Sequence, residues 1–252
     1  MIFWKIFMIR FIYILLLICP GVTLGASKTP RSQTGHESGL DFRLIKKYDD
    51  FNFLAETKNR QEFLGQDYHQ ILTGLYYRIS KKFRVGLFLQ AEQGLRWDSD
   101  WIKNSSWEWG RISNRWDYSS VSDFTFQDLI TNQFSWDWKN RLIYYHSREA
   151  LLFKTRPGLR YFFLKDAKPW LQIYAEFEAY VPLNYGLNAI YESWSYIGAL
   201  YQINDEFSFG PTLSFRERWY HSYSDFKTKT QEDYRVSWSS IYYGLTLNYL
   251  IP

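Results

Sequence analysis

Alternating apolar and polar positions dominate the chain from residue 51 onward. The stretch 83–97, FRVGLFLQAEQGLRW, places apolar side chains on one parity and charged, amide or glycine residues on the other, with Phe88 and Gln93 as exceptions. A side-chain period of two predicts a β-strand with one apolar and one polar face. The period alone leaves open which of the two faces contacts water.

The same alternation predicts ten strands. Their predicted ranges are 51–58, 68–79, 83–97, 107–122, 133–145, 151–163, 170–181, 188–203, 207–220 and 232–251. Short turns are predicted at 80–82, 164–169 and 204–206, and wider polar connections at 98–106 and 221–231. The parity of the apolar residues reverses after Trp238, which predicts a bulge near Ser239 and Ser240. An even number of strands places both ends of the strand array on the side of the short turns.

Strand length separates two architectures that share this pattern. Strands of a soluble sandwich average about five or six residues, whereas a tilted strand needs about 9–11 residues to cross a bilayer. The stretch 83–97 exceeds both lengths. We therefore predict an all-β fold, a closed antiparallel transmembrane β-barrel of about 10 strands, with the apolar parity toward lipid and the polar parity enclosed. A short strand at 40–45 would raise the count to eleven or twelve.

The polar parity carries opposite charges on neighbouring strands. The turn at 164–169 places Arg156 opposite Glu176 or Glu178, and the turn at 204–206 places Arg218 near Glu192. Opposite charges across a strand pair attract one another, so these residues are predicted lumen charge pairs. A barrel of about ten strands is only slightly wider than the eight-stranded barrels whose interiors side chains fill. We expect a narrow or plugged lumen.

Tryptophan is unusually frequent. Aromatic residues make up 21% of the chain, and its tryptophans after residue 26 cluster near the predicted strand ends. They are Trp97, Trp101, Trp107, Trp109, Trp116, Trp136, Trp138, Trp170, Trp194, Trp219 and Trp238. Amphipathic rings prefer the interface between membrane and water, so we expect aromatic girdles at the two rims of the barrel.

Residues 1–26 have the layout of a secretory signal peptide. Lys5 and Arg10 precede an apolar run at 11–19, a Pro-Gly break follows, and small residues at 25 and 26 offer a cleavage site. An uncleaved membrane anchor and a lipoprotein acylated on Cys19 are the alternatives. Residues 27–50 form a polar leader, with a short strand or a plug as its possible structures, and 51–252 form the barrel.

Cleavage would change the charge and the cysteine content of the chain. It removes two basic residues, so the formal net charge falls from +4 to +2, and it removes the only cysteine. A disulfide or thiolate metal site is then excluded. A nearly neutral chain without clustered Lys and Arg gives no indication of nucleic-acid binding.

The last strand completes a recognisable set of features. Its end, residues 243–251 (YGLTLNYLI), alternates up to the end of the chain. Together with the signal peptide, the even strand number and the aromatic belts, it resembles the bacterial outer-membrane β-barrel proteins as a class. The resemblance covers residues 51–252 and implies the outer membrane of a double-membraned bacterium as the location. It further implies outer-membrane lipids and the barrel-assembly machinery as partners.

Two histidine-containing runs are candidates for chemistry. The run His36-Glu37-Ser38-Gly39 is similar to the His-x-Ser-Asn-Gly run of outer-membrane phospholipases and lipid A deacylases, but lacks the asparagine. His146 continues the predicted lipid-facing parity of its strand, and Ser147 follows it, so this pair is the candidate catalytic site of a lipid-cleaving enzyme. A polar pair at a junction between strand and loop is the alternative. Neither metal-ligand spacing nor a phosphate-binding glycine loop is found, so we expect no metal and no cofactor.

These features favour a non-enzymatic integral outer-membrane β-barrel protein. With a narrow or plugged charged lumen, it would act as a small porin-like channel or as a surface-exposed anchoring or interaction protein. A barrel hydrolase acting on lipids and a soluble periplasmic β-protein are the alternatives. The sequence indicates no particular oligomeric state.

Overall fold

The computed structural model of the chain describes residues 31–62, 66–94, 101–102, 115–186 and 188–251. They form strands β1 (Gln33–Lys47), β2 (Phe51–Glu62), β3 (Gln66–Arg78), β4 (Phe83–Gln93), β5 (Trp101–Ile102), β6 (Asp117–Leu129), β7 (Phe134–Tyr145), β8 (Ala150–Lys165), β9 (Lys168–Pro182), β10 (Glu192–Gln202), β11 (Phe207–Ser222) and β12 (Arg235–Ile251), and helix α1 (Ser224–Thr230). Within these ranges, no helix has the length and apolarity needed to cross a membrane.

Eleven of the strands close into a barrel. Neighbours along the chain pair antiparallel, β4 pairs with β6, and β12 returns to β1 as a parallel pair from Gln33↔Trp238 to Lys46↔Ile251. The two-residue strand β5 lies outside the barrel wall, paired with the end of β11. The predicted all-β barrel is confirmed. The wall has eleven strands rather than ten, because β1 occupies most of the segment predicted as a polar leader and includes the alternative strand at 40–45. The fully antiparallel pairing is wrong, because β1 and β12 run parallel.

The connections differ in length at the two ends of the barrel. Turns at 48–50, 79–82, 130–133, 166–167 and 203–206 define the short-turn end, and the connections at 146–149, 183–191 and 223–234 define the opposite, long-connection end. Because the number of strands is odd, β1 begins at the long-connection end while β12 finishes at the short-turn end. The prediction that both ends of the strand array lie on the short-turn side is therefore wrong.

The predicted short turns have the local chemistry that tight turns need. Asp166 and Ala167 both adopt positive φ angles, 52° and 60°, between β8 and β9. Two consecutive residues with positive φ match the twist of a β-hairpin. Between β10 and β11, the side-chain oxygen of Asn204 accepts hydrogen bonds from the backbone N–H groups of Glu206 (2.9 Å) and Phe207 (2.7 Å), as in an Asx turn.

The barrel exposes its apolar parity and encloses its polar parity. Leu87 and Leu89 on the outer wall of β4 are 72% and 66% exposed, whereas Asp123 and Thr125 on the inner wall of β6 are fully buried. This is the arrangement that we predicted for the stretch 83–97. It is the reverse of a soluble sandwich, in which the apolar parity fills the core.

The start of β12 departs from the prediction. The pairing of β12 with both β1 and β11 runs through Ser239 and Ser240 without a register shift, so the predicted bulge is wrong. Val236 and Trp238 instead lie on the same inward parity as Tyr242, and all three are buried. The reversal of apolar parity thus reflects apolar side chains inside the barrel, which the sequence pattern does not distinguish from a bulge.

An aromatic row lies on the outer wall near the short-turn end. Its rings contact in sequence along β8 to β11, with centroid distances of 4.9 Å for Tyr161–Phe163, 6.2 Å for Phe163–Trp170, 6.1 Å for Trp170–Tyr201 and 6.1 Å for Tyr201–Phe209. Other predicted girdle residues differ: Trp194 and Trp238 are buried inside the barrel. Trp97, Trp107 and Trp109 lie outside the described residues.

Candidate functional site: the charged interior of the barrel

A buried ionic cluster fills one side of the interior at the long-connection end. We call it the closing layer, and it comprises Glu37, Glu192, Trp194, Arg216, Arg218 and Trp238, each at most 7% exposed. Arg216 donates from Nε to Glu192 Oε1 (3.1 Å) and from Nη1 to Glu37 Oε1 (3.2 Å). Arg218 Nε donates to Glu192 Oε2 at 2.6 Å. The Arg216 guanidinium also lies 4.8 Å from the ring centroids of both tryptophans.

Apolar side chains fill the other side of the interior at the same end. Phe88, Val121, Ile143, Tyr145 and Leu152 form one buried cluster with exposures of 6% or less. The connection between β9 and β10 covers this cluster with Tyr185 and Tyr191. Burial raises the pKa of Tyr185 to about 12, so its hydroxyl stays neutral at physiological pH. The described part of the long-connection end is therefore packed with side chains.

A second ionic cluster lies further along the inner wall, on β8 and β9. Arg156 Nη1 is 3.3 Å from Glu176 and 3.9 Å from Glu178. Lys154 binds Glu178 at 2.8 Å, and Arg160 binds Glu176 at 2.7 Å. Each carboxylate is shared by two cations, and Arg156 contacts both acids while Arg160 also pairs with Asp137. Removal of Glu178 would therefore leave Lys154 buried without its ion-pair partner.

A third cluster is centred on Asp123 of β6. Its carboxylate lies 2.8 Å from Arg141 and 3.2 Å from Lys139, and it accepts hydrogen bonds from Tyr76 (2.9 Å) and Thr125 (2.8 Å). Two cations and two hydroxyl groups therefore surround a carboxylate that is fully inaccessible to water. Hydrogen bonds and opposite charges of this kind are needed to hold an ionised group in a buried position.

All five predicted lumen charges lie inside the barrel, in two of these clusters. The structure brings Arg218 together with Glu192 as direct strand partners, and Arg156 together with Glu176 and Glu178. Sequence reasoning missed other members for identifiable reasons. Glu37 lay in the predicted leader, Asp123 lay one position beyond the predicted strand 107–122, and Arg216 stood on the polar parity of its strand without a predicted partner.

A chamber with a polar lining occupies the half of the barrel nearest the short-turn end. Its volume is about 590 Å³, and the described residues that line it include eight Lys or Arg and six Asp or Glu. Gln202, Asp205 and Glu206 lie at its mouth, at the short-turn end. At the opposite end of the chamber, Arg60 lies over the ring of Trp194 in the closing layer, at 4.9 Å. The chamber thus opens at one end and ends on packed side chains at the other.

The two residues of the predicted catalytic pair, His146 and Ser147, have different hydrogen-bond partners. The Ser147 hydroxyl donates a short hydrogen bond to Asp117, whereas His146 Nε2 lies 3.0 Å from the hydroxyl of Ser120. Ser120 stands on the outward parity of β6, next to the end of the barrel that carries His146. In the other candidate run, His36 stacks on Tyr243, with 6.0 Å between the ring centroids.

The geometry defines a closed eleven-stranded β-barrel with an apolar outer wall and an ion-paired interior. Neither the protein-family models nor the curated proteins compared with the chain give a match.

Proposed function

We propose that this chain is an integral outer-membrane β-barrel protein whose barrel is closed at the long-connection end. It would serve as a surface-exposed anchoring or interaction protein rather than as an open channel. One observation carries the proposal: the outer wall is apolar while charged side chains are confined to the interior. In a membrane barrel this arrangement places hydrocarbon against lipid and charge in a polar interior.

Exposed apolar area of this extent is unfavourable in water. Leu87, Leu89, Phe124, Ile173 and Ile197 are between 40% and 72% exposed, on two parts of the wall, β4–β6 and β9–β10. Transfer of apolar surface from water stabilises by roughly 25 cal/mol per Å². Exposed apolar patches beyond a few hundred Å² generally mark contact with a membrane or a partner. A bilayer is the partner that covers a closed wall on all sides at once.

Two further features support the bilayer. The eleven strands of the wall have 11 to 17 residues, which matches or exceeds the roughly 9–11 residues that a tilted strand needs to cross the hydrocarbon core. The aromatic row at Tyr161, Phe163, Trp170, Tyr201 and Phe209 stands where the girdle of a membrane barrel is expected. The signal-peptide pattern of residues 1–26 and the resemblance to outer-membrane barrels favour the outer membrane of a double-membraned bacterium.

The packed end argues against conduction. The closing layer and the apolar cluster at Phe88 and Tyr145 fill the interior at the long-connection end. Hydrated ions need a continuous polar path, and these side chains interrupt it. An anchoring or interaction role then falls to the long connections, where the helix α1 and the segment 183–191 lie.

Bimane labelling tests the membrane assignment. In a Cys19→Ser background, Leu87→Cys and Gln172→Cys each receive the bimane label, and the protein is reconstituted in liposomes. Leu87 is on the outer wall and Gln172 lines the chamber. We expect lipids with brominated acyl chains to quench the label at 87, because it contacts hydrocarbon. Aqueous iodide should quench the label at 172 and leave the label at 87 almost unaffected.

The opposite result is equally clear. If brominated lipid quenches neither label and iodide quenches the label at 87, the wall contacts water or protein and the membrane assignment is wrong. A planar-bilayer recording tests whether the long-connection end is closed. Steady conductance through the purified protein would show an open channel and would contradict the proposed anchoring role.

A lipid-cleaving hydrolase is the second candidate function, because Ser120 and His146 form a nucleophile–base geometry. A serine hydroxyl within hydrogen-bond reach of a histidine is the arrangement that activates serine for attack on an ester. An apolar groove of about 690 Å³, lined by Leu75, Leu87 and Leu89, runs along the outer wall up to Ser120. An acyl chain in this groove would bring its ester group close to the hydroxyl.

Phospholipid hydrolysis in mixed micelles tests this candidate. If the wild-type chain releases fatty acid, Ser120→Ala and His146→Ala should each abolish the release, because each removes one half of the pair. Ser122→Ala, two positions along the same face of β6, is the matched control and should retain activity. Absence of fatty-acid release from the wild-type chain would eliminate the hydrolase.

A further inference from the structure

We propose that the chamber is a binding site for a small organic anion that carries a hydroxyl group, of the kind found in sugar phosphates and hydroxycarboxylates. Among the residues that the structure describes, the site has two arginines without carboxylate partners and a carboxylate oxygen without a donor. It also has a volume suited to a small molecule and a mouth at the short-turn end. None of these features depends on whether the outer wall contacts lipid.

Arg60 is the first unpaired cation. It belongs to β2, and its guanidinium lies between the rings of Trp194 (4.9 Å) and Tyr242 (5.2 Å) at the closed end of the chamber. Among the residues that the structure describes, no carboxylate lies within 4 Å of it, and its buried Nε has no hydrogen-bond partner. Aromatic faces stabilise a cation but do not accept its N–H groups in the plane of the guanidinium. The N–H groups of Arg60 are therefore available to an anion that reaches the closed end of the chamber.

Arg84 is the second unpaired cation, and it lies nearer the mouth. Its guanidinium stacks over Tyr76 at 4.6 Å, and its Nε is likewise buried without a partner. In the part of the chain that is described, it forms no ion pair. The other arginines and lysines deep in the chamber share carboxylates such as Glu56, Glu176 and Asp123. Among the cations deep in the chamber, Arg60 and Arg84 are thus the two without an ion pair to a described residue.

Asp41 adds a requirement for a donor on the ligand. It lines the chamber, and its buried Oδ1 accepts no hydrogen bond from a described residue. A buried acceptor without a donor is energetically unfavourable. A hydroxyl group on the ligand would satisfy this oxygen while the anionic group binds an arginine. Chloride lacks the hydroxyl donor for Asp41, and an uncharged sugar lacks the anionic group for the arginines.

The shape of the chamber fits a small molecule. Its volume of about 590 Å³ falls within the roughly 300–1,000 Å³ range of ligand pockets. Tyr174 and Tyr196 supply apolar ring surface beside the charged groups. Because the closing layer blocks the opposite end, a ligand enters and leaves by the short-turn end. The chamber therefore retains a solute rather than passing it through the barrel.

Calorimetric titration of the purified full chain in detergent tests the site. Citrate and glucose 6-phosphate are the anionic probes, and glucose is the uncharged control. We expect at least one of the two anions to bind with one site per chain and glucose not to bind. Arg60→Gln and Arg84→Gln should each weaken binding by about tenfold or more, because each removes a charge-assisted hydrogen bond. Arg235→Gln, which removes an equal charge from the exposed start of β12, should leave binding unchanged.

Three results would overturn the proposal. They are the absence of binding by both anions, equal binding of glucose, and equal loss of binding in Arg235→Gln.

Because Arg60→Gln alters a packed position, a second measurement avoids reliance on the folding of that variant. In a Cys19→Ser background, the thiol of Gln172→Cys should react faster with an anionic methanethiosulfonate than with a cationic one. Arg84→Gln should reduce the ratio of these two rates. A ratio that Arg84→Gln leaves unchanged contradicts the cationic chamber. Lipid quenching of the label at 87 is a separate readout, so failure here leaves the membrane proposal standing.

Discussion

At the scale of single residues, burial decides which ion pairs contribute to stability. Asp123 on β6 is fully enclosed by Lys139, Arg141 and two hydroxyl groups. Asp128, five residues along the same strand, forms an exposed pair with Lys82 at 2.6 Å. Charges in water are screened and gain little from pairing, whereas a buried charge that loses its partner remains desolvated. Two aspartates on one strand therefore differ in what their removal does.

The substitution Asp123→Asn should lower the free energy of unfolding by about 3–5 kcal/mol, because it leaves Lys139 and Arg141 buried without a countercharge. Asp128→Asn is the matched control and should leave the free energy of unfolding almost unchanged. Urea titrations of both variants in the same detergent, followed by tryptophan fluorescence, measure the difference. Equal transitions for the two variants would show that the interior of the barrel is hydrated rather than packed.

Charge pairs could be predicted from the sequence where a short turn fixes the register of two neighbouring strands. The pairing of Arg218 with Glu192 could be predicted because the tight turn at 203–206 fixes the register of β10 against β11. Asp123 was missed because it lay one position beyond the predicted strand 107–122, although its partner Arg141 faces it on the adjacent strand β7. The environment of Arg60 could not be assigned from any turn, because its contacts with Trp194 and Tyr242 cross the barrel interior and join strands that are distant in the sequence.

At the scale of elements, strands were predictable where one face was consistently apolar. β4, β8, β9 and β11 meet this condition, and their predicted and observed ranges agree within a few residues. β1 does not meet it, because its first outward positions are Thr34, His36 and Ser38 and the apolar positions begin only at Leu40. The sequence therefore indicated only a short strand there. The helix α1 has only seven residues and lies in a polar connection, whose sequence shows no helical pattern of apolar residues.

At the scale of the whole molecule, closure of the barrel could not be derived from the sequence pattern. Whether the number of strands is odd or even decides at which ends of the barrel the first strand begins and the last strand finishes. Omission of a single strand from the sequence-based count therefore reverses the predicted arrangement. The observed seam joins the first and last strands of the wall. Because no turn connects these two strands, turn residues in the sequence cannot predict their pairing. In a ten-stranded barrel, β2 would pair with β12. In the observed barrel, β1 stands between them and runs parallel to β12.

Cysteine cross-linking tests this seam directly. Leu40 and Leu245 are strand partners on the outer wall of β1 and β12. Neighbouring strands lie about 4.8 Å apart, within the Cα separation of about 4.4–6.8 Å that a disulfide accepts. In a Cys19→Ser background, Leu40→Cys with Leu245→Cys should cross-link on oxidation and change the mobility of the denatured chain on a non-reducing gel. The pair Leu40→Cys with Tyr249→Cys, displaced by four residues or roughly 13 Å, should not. Efficient cross-linking of the displaced pair, or of neither pair, would contradict a parallel seam in this register and with it the eleven-stranded closure.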